Sequence, residues 1–125
     1  MDKEIEQLLE MAGQESDGSS QPLELLAALD SEAFKDHLML KKKVYSTPLI
    51  PKKYKSLLAV AVGIALDNPS CIMNNTKAAV KAGATKDEVM EAINVAKFSK
   101  SATTLPNSRL AWAWLKELED TAQDE

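Results

Sequence analysis

Cysteine and histidine are nearly absent from this sequence, which has one of each among 125 residues. A single cysteine cannot form a disulfide within the chain, and one cysteine with one histidine provides too few ligands for a structural zinc site. The sequence also has no glycine-rich phosphate loop and no Ser-His-Asp arrangement. We therefore expect no bound metal and no cofactor.

Signals for export and for membrane insertion are also missing. Residues 1–18 are acidic and contain no apolar run, unlike a signal peptide. The most apolar stretch, residues 57–66, is well short of the roughly 20 residues that a membrane-spanning helix needs. We therefore expect a cytoplasmic protein that has no membrane partner.

Charge is distributed unevenly along this acidic chain, whose net charge is -4. Residues 1–30 contain eight acidic residues and one lysine, whereas residues 31–60 contain seven lysines and two acidic residues. These two regions are suited to pair with each other, within the chain or between subunits. The lysine clusters at 41–43 and 52–53 lack arginine and interleaved aromatic residues, so we expect no nucleic-acid binding.

Helix-forming residues are abundant by contrast. Ala, Leu, Lys and Glu dominate, β-branched runs are scarce, and the chain has only four glycines and five prolines. This composition predicts an all-α protein with one main domain. Residues 2–13 predict a first helix, and residues 14–21, rich in Ser and Gly, predict a linker. We expect residues 1–21 to form an N-terminal helix and linker arm, able to dock on a neighbour, and residues 22–125 to form the helical domain.

The middle of the chain predicts the core. Residues 57–66 are apolar on every side, so a helix there has no face for water and should be wrapped by the rest of the protein. Asn68 and Pro69 then predict the start of a new helix, with Cys71 in its first turn. Gly83 is typical of the residue that follows a helix end.

Two further signals concern the flanking helices. Asp30 or Ser31 is suited to cap a helix, and Thr85 with Glu88 forms a capping-box pattern. On the final helix, Trp112 and Trp114 are two residues apart and point about 200° away from each other. Both cannot face one core, so we expect one of them to pack against a second subunit.

The candidate site surrounds Cys71. Cys71 and Asn75 are four residues apart on one helix face, and Asn68 lies just before the turn, so the three side chains can converge. Ser56 lies at the start of the preceding apolar helix. A cysteine in the first turn is near the positive end of the helix dipole, which favours the nucleophilic thiolate.

Simpler interpretations stay open for each of these residues. Cys71 could be a small buried hydrophobe, the two asparagines could serve as caps or ordinary hydrogen-bonding groups, and Ser56 could be a plain helix residue. The single histidine, His37, lies on a polar helix with no orienting partner at a fixed spacing, which favours a surface position over proton transfer.

The order of these signals resembles the carboxymuconolactone decarboxylase family and its alkylhydroperoxidase D-like relatives. The resemblance covers residues 49–118 and runs through IPKKYKSLLAVAVGIAL, then NPSC, then AAVKAGATKDEVMEAINVAKF. It implies an all-α subunit built around a two-helix antiparallel core and assembled into a ring-like homotrimer or homohexamer.

The resemblance also implies a site, because the peroxidase branch has a Cys-x-x-Cys-x-x-x-His motif with a Glu twelve residues upstream. Counted back from Gly83, these family positions fall on Asn68, Cys71, Asn75 and Ser56. Only the second cysteine is retained, so no resolving disulfide forms within the chain. Asn75 and Ser56 stand where the family has its proton-relay residues.

Three functions follow from the resemblance. The first is a single-thiol, peroxiredoxin-type oxidoreductase in which Cys71 reacts, Asn75 and Ser56 hydrogen-bond the substrate, and an external thiol restores the cysteine. The second is a non-catalytic oligomer that binds a small molecule or acts as a scaffold. The third is lactone decarboxylation, which needs a proton donor such as His37 or Lys53 near the pocket.

Overall fold

The computed structural model describes residues 2–15 and 21–124, which form helices joined by short connections; no strand occurs in these ranges. No helix in the same ranges combines the length and the hydropathy needed to cross a bilayer. The all-α prediction is therefore confirmed. The helices, in chain order, are α1 (Lys3–Glu15), α2 (Gln21–Leu29), α3 (Ser31–Ser46), α4 (Lys52–Ala65), α5 (Pro69–Lys81), α6 (Lys86–Ala102), α7 (Thr104–Asn107) and α8 (Arg109–Asp124).

Three helices begin at side-chain caps that the sequence predicts. Asp30 accepts a hydrogen bond from the Ala33 amide at 3.0 Å and caps α3. Asn68 caps α5, with Pro69 as its first residue. Thr85 and Glu88 form a reciprocal capping box at the start of α6. Each cap satisfies amides that would otherwise lack partners at a helix start.

Helices α4, α5 and α6 form one packed unit. Helices α4 and α5 are antiparallel because a short turn connects them. Helices α4 and α6 are parallel, as is shown by one ion pair between their starts and another between their ends. The pairs are Lys53 with Glu88 at the start, 2.9 Å apart, and Asp67 with Lys100 at the end. Inside this unit Ala79, Ala84 and Val89 form a buried cluster against Leu57 and Ile93.

Helices α1, α2 and α3 form a second cluster. Ile5, Ala27 and Phe34 are buried together, with five leucines packed around them. Lys35 of α3 pairs with Glu4 of α1 at 3.3 Å, which joins an N-terminal acid to the lysine-rich region within one chain. Helix α1 extends to Glu15 rather than ending near residue 13, and residues 16–20 of the predicted linker lie outside the described residues.

Lys55 joins the second cluster to the α4–α6 unit. Its Nζ donates hydrogen bonds to the carbonyl of Val44 at 2.6 Å and to the carbonyl and hydroxyl of Thr47 at 2.8 and 2.6 Å. A lysine at the end of α3 also suits the negative end of the helix dipole. The extended residues between α3 and α4 are thereby held against the first turn of α4.

One prediction about the core differs from the structure. Within one chain α4 is not wrapped on every side, because Leu58, Val62 and Leu66 are each more than half exposed. Its opposite face, with Val60 and Gly63, is buried.

Residues 101–105, which follow the core, are mostly helical. The hydroxyls of Ser101, Thr103 and Thr104 each donate to a carbonyl three residues earlier.

Candidate functional site

Cys71 is the third residue of α5 and is partly buried. Pro69 begins the helix because its fixed φ suits the first helical position and it has no amide hydrogen to satisfy. Asn68 Oδ1 accepts a hydrogen bond from the Cys71 amide at 3.1 Å. The sulfur is therefore held in the first helical turn, at the positive end of the α5 dipole.

Asn75 brings a side-chain donor to the sulfur. Its Nδ2 lies 3.1 Å from Cys71 Sγ and 2.8 Å from the Cys71 carbonyl oxygen. The four-residue spacing places both side chains on one face of α5, as the sequence predicts. Asn68, Cys71 and Asn75 thus form one constellation.

The turn before α5 has an unusual backbone. Asp67 has φ of 54°, a left-handed conformation that Asp and Asn adopt more readily than most residues. The Asn68 amide donates to the Gly63 carbonyl at 2.9 Å and the Asp67 amide to the Ile64 carbonyl at 3.2 Å, which is a Schellman motif. Lys100 of α6 pairs with the Asp67 carboxylate and also donates to the Ile64 carbonyl at 3.4 Å.

Gly63 permits close contact between α4 and the start of α5. A Cβ atom at Gly63 would lie 3.4 Å from Cys71 Cβ, 3.1 Å from Ile72 Cγ1 and 3.2 Å from the Ile72 amide nitrogen. The last two separations are tighter than ordinary van der Waals contact. The start of α5, including Cys71 Cβ, therefore packs closely against α4 at Gly63.

Ser56 lies on the same buried face of α4 but farther from the thiol. It is seven residues before Gly63, a distance of about 10 Å along a helix. Ser56 is fully buried, and among the described residues its Oγ has no hydrogen-bond partner. The structure therefore brings Asn68 and Asn75 to Cys71, whereas Ser56 makes no hydrogen bond to any of them. The binding role predicted for these residues stays a prediction.

The two suggested proton donors lie elsewhere. His37 is exposed on α3. Lys53 is in the first turn of α4, the end opposite Cys71, and its pKa is raised chiefly by its hydrogen bond to Glu88. The pKa of Glu88 is lowered, first by the hydrogen bond from the Thr85 amide and then by Lys53. Lys53 and Glu88 thus form an ion pair that joins α4 to α6.

Two open depressions lie away from the thiol. One is on the outer face of α6, beside Val95 and Phe98, and the other lies between α1, α2 and the start of α3. Neither includes Cys71 or the two asparagines.

Three residues near the thiol were not found from the sequence. Gly63 could have been found, because a glycine inside an apolar helix indicates close packing against another helix. Asp67 occupies the same position after α4 that Gly83 occupies after α5, so a comparison of the two helix ends could have found it. Lys100 has no local signal, because its partner is 33 residues earlier in the chain.

The similarity to known proteins covers most of the chain. A model of the carboxymuconolactone decarboxylase family matches residues 32–117. The "uncharacterized protein 4 in cox locus" of Paracoccus denitrificans is 35% identical over 82 residues, which are 66% of this chain and 74% of that protein.

Solved structures share the fold. A protein from Burkholderia xenovorans LB400, assigned as a carboxymuconolactone decarboxylase, superposes with a TM-score of 0.67 at 23% identity and covers 97% of this chain and 96% of that one. A carboxymuconolactone decarboxylase family protein from Thermotoga maritima gives a TM-score of 0.51 at 25% identity, covering 73% and 94%. A role in the antioxidative response has been suggested for the Thermotoga protein.

Proposed function

Because the chain belongs to the carboxymuconolactone decarboxylase family, we propose that it reduces hydroperoxides through the single thiol of Cys71. The observation that carries the proposal is the 3.1 Å hydrogen bond from Asn75 Nδ2 to Cys71 Sγ in the first turn of α5. A helix start and a donor directed at the sulfur are common surroundings of reactive cysteines. The antioxidative role suggested for the Thermotoga relative is in the same chemical class.

The proposed reaction has two stages. In the first, the Cys71 thiolate attacks the terminal oxygen of a hydroperoxide, so that an S–O bond forms and the O–O bond breaks. The leaving alkoxide takes a proton from water and departs as an alcohol, and the cysteine becomes a sulfenic acid. In the second, an external thiol displaces the hydroxyl as water and forms a mixed disulfide, and a second external thiol then releases the reduced cysteine.

The two asparagines have different roles in this proposal. Asn75 donates to the sulfur and is placed to donate to the transferred oxygen, but its amide cannot accept or release a proton near pH 7. Asn68 is a positioning residue, because it holds the Cys71 amide at 3.1 Å. With no second cysteine in the chain, the resolving thiol comes from another molecule.

The test is a reaction with limiting hydrogen peroxide and with an organic hydroperoxide. We expect Cys71 to gain one oxygen, detected by mass spectrometry, faster than free cysteine does at the same pH. Cys71→Ser provides the background, and Asn75→Ala should slow the oxidation while leaving the fold intact. Oxidation of Cys71 no faster than free cysteine would end the proposal.

A second candidate is a non-catalytic member of the family that binds a small molecule or acts as a scaffold. The buried hydroxyl of Ser56, which lacks a hydrogen-bond partner in the described chain, favours it because a polar ligand or water could satisfy this group. Under this hypothesis Cys71→Ala should leave assembly and ligand affinity nearly unchanged. A large loss of either would favour a role for the thiol.

Lactone decarboxylation has less support. It needs a proton donor, and Lys53 lies ten residues before the Gly63 contact, about 15 Å along α4. A measurable decarboxylation of a muconolactone substrate that is lost in Lys53→Met would restore this candidate. His37→Gln serves as the matching control on α3.

Assembly into a homotrimer or homohexamer is also part of the proposal. A neighbouring subunit would cover apolar side chains of α4 such as Leu58 and Val62, which are more than half exposed. Sedimentation of the purified protein should give three or six times the 13.7 kDa chain mass. A protein that sediments as a monomer and still reduces hydroperoxides would refute the proposed assembly and support the proposed thiol chemistry.

A further inference from the structure

Lys100 brings a positive charge from α6 to the turn that precedes the thiol. Its ammonium group pairs with the Asp67 carboxylate and donates a hydrogen bond to the Ile64 carbonyl at 3.4 Å. The same carbonyl accepts a hydrogen bond from the Asp67 amide at 3.2 Å. Lys100 therefore contacts both the side chain and the backbone of this left-handed turn.

The turn is linked directly to Cys71. Asp67 is followed by Asn68, whose Oδ1 accepts a hydrogen bond from the Cys71 amide at 3.1 Å. The Asn68 carbonyl accepts a second hydrogen bond from the Ile72 amide at 3.0 Å. The Asp67 carboxylate and the Cys71 sulfur thus lie at the same end of α5, four residues apart in the chain.

Few other charges are near this end of α5. Helix α4 has no charged residue after Lys55, and α5 has none before Lys77. Helix α6, which packs against α4, carries Lys97 and Lys100 in its last two turns. Lys97 is exposed, whereas Lys100 reaches Asp67. The charge beside the thiol is therefore set mainly by Asp67 and Lys100.

Two negative groups share the positive end of the α5 dipole whenever the thiol ionises. The dipole favours both the Asp67 carboxylate and the Cys71 thiolate, but each negative charge disfavours the other. Lys100 neutralises the carboxylate and so removes most of this repulsion. The ion pair is exposed, with side chains 44% and 79% accessible, and an exposed pair adds little to folding stability. Its location favours a role in thiol chemistry instead.

We propose that Lys100 is a positioning residue for Cys71, which holds the turn before α5 and offsets the charge of Asp67 so that the thiolate forms more readily. Without Lys100 the carboxylate would be unpaired, and a larger share of Cys71 would stay as the less reactive thiol. The importance of Lys100 for hydroperoxide reduction rests on the proposed function, whereas its effect on the reactivity of the thiol does not.

Two lysines provide a matched test, because their ion pairs lie at opposite ends of α4. Lys100→Met leaves Asp67 unpaired beside the thiol, and Lys53→Met breaks the pair with Glu88 at the other end. We expect Lys100→Met to slow alkylation of Cys71 by iodoacetamide about threefold at pH 7, as one exposed charge about a helical turn away would do. The rise of the rate with pH should also move to higher pH. Lys53→Met should leave both unchanged.

Two further variants separate the charge from a general loosening of the helices. Lys100→Arg retains the positive charge and should keep the wild-type pH profile. Adding Asp67→Asn to Lys100→Met removes the unpaired carboxylate and should restore the alkylation rate, because Asn also tolerates the left-handed conformation. Equal slowing by Lys100→Met and Lys53→Met, no slowing by either, or no recovery with Asp67→Asn would overturn the proposal.

The alkylation assay involves no peroxide, so it separates this proposal from the proposed function. A protein whose variants alkylate as expected, but whose Cys71 is oxidised no faster than free cysteine, would refute hydroperoxide reduction and support the role of Lys100. A protein that reduces hydroperoxides with the same alkylation profile in wild type and Lys100→Met would support the function and refute the role of Lys100.

Discussion

The turns at the two ends of α5 share one backbone design but differ in their side chains. At each turn the residue after the helix has positive φ, 54° at Asp67 and 103° at Gly83. At each turn the next amide donates to a carbonyl five residues earlier, Asn68 to Gly63 and Ala84 to Ala79, both at 2.9 Å. Each then leads directly into a side-chain cap of the following helix.

The difference shows which turn carries chemistry. The α5–α6 turn uses glycine where the backbone needs it, and its cap residue Glu88 is engaged by Thr85 and Lys53. The α4–α5 turn uses an aspartate held by Lys100 and a capping asparagine, and it is followed by a thiol with the Asn75 amide 3.1 Å from its sulfur. A reactive side chain with a directed donor thus distinguishes this end of α5, which makes it the better candidate for a functional site.

The largest effect is expected at the close contact beneath the thiol. Gly63→Val should destabilise the protein by about 2 kcal/mol, because the added methyl groups meet Ile72 and Cys71 and force α5 outward. Urea unfolding at fixed protein concentration measures the free energy. Ala65→Val, on the exposed end of α4, is the control and should cost only a few tenths of a kcal/mol. Equal costs would mean that α5 moves freely away from α4.

The two positive-φ residues should differ in how much a substitution destabilises the protein. Gly83→Ala should cost about 1–2 kcal/mol, since no neighbouring atom is within 4 Å of the new Cβ and the cost is backbone strain alone. Asp67→Gly should change stability by less than about 0.5 kcal/mol, because relief of strain offsets the loss of an exposed ion pair. Thermal unfolding compares them. A large cost for Asp67→Gly would show that Lys100 holds the turn more firmly than we expect.

The two caps should be equal in stability and unequal in reactivity. Asn68→Ala and Thr85→Ala should each cost about 1 kcal/mol, the usual value of a helix cap. Only Asn68→Ala should change the rate at which iodoacetamide alkylates Cys71, because Asn68 holds the Cys71 amide. Asn68→Ser retains a cap and should restore stability. If Thr85→Ala altered alkylation equally, the effect would come from general loosening of the helices.

The smallest effect concerns pH at the α5–α6 turn. The pKa of Glu88 is lowered below its usual 4.5, so its stabilising effect is present above pH 4.5 and is lost as the pH falls through the folded-state pKa. The pKa of Lys53 is raised above 10.5, so its contribution is present below pH 10.5 and is lost as the pH rises through the folded-state pKa. Melting temperatures of wild type and Glu88→Gln should differ at pH 7 and converge at acid pH. At alkaline pH the difference should become smaller without vanishing, because the hydrogen bond from the Thr85 amide to Glu88 remains when Lys53 loses its charge. A difference in melting temperature that stays the same at every pH would exclude the charge of Glu88 as its cause.

Local chemistry explains why much of the fold and part of the site could be predicted. The caps at Asp30, Asn68 and Thr85 are confirmed, as is the glycine after α5, because a cap depends on residues within a few positions of itself. The convergence of Asn68, Cys71 and Asn75 is likewise a matter of helical spacing. The burial of α4 was not predictable in the same way, because an apolar run does not indicate whether its side chains are buried by the same chain or by another one.

The sequence by itself determined the helices, their starts and the single thiol in a helical first turn, since these follow from propensity, capping and residue count. Only the tertiary structure decided that Lys100 would brace Asp67, that Ser56 would be buried two turns away from the thiol, and that α8 would leave its apolar face open. The physical reason is the separation along the chain of the residues that interact. Capping acts across one turn, whereas burial and ion pairing depend on which distant helix arrives beside a given face.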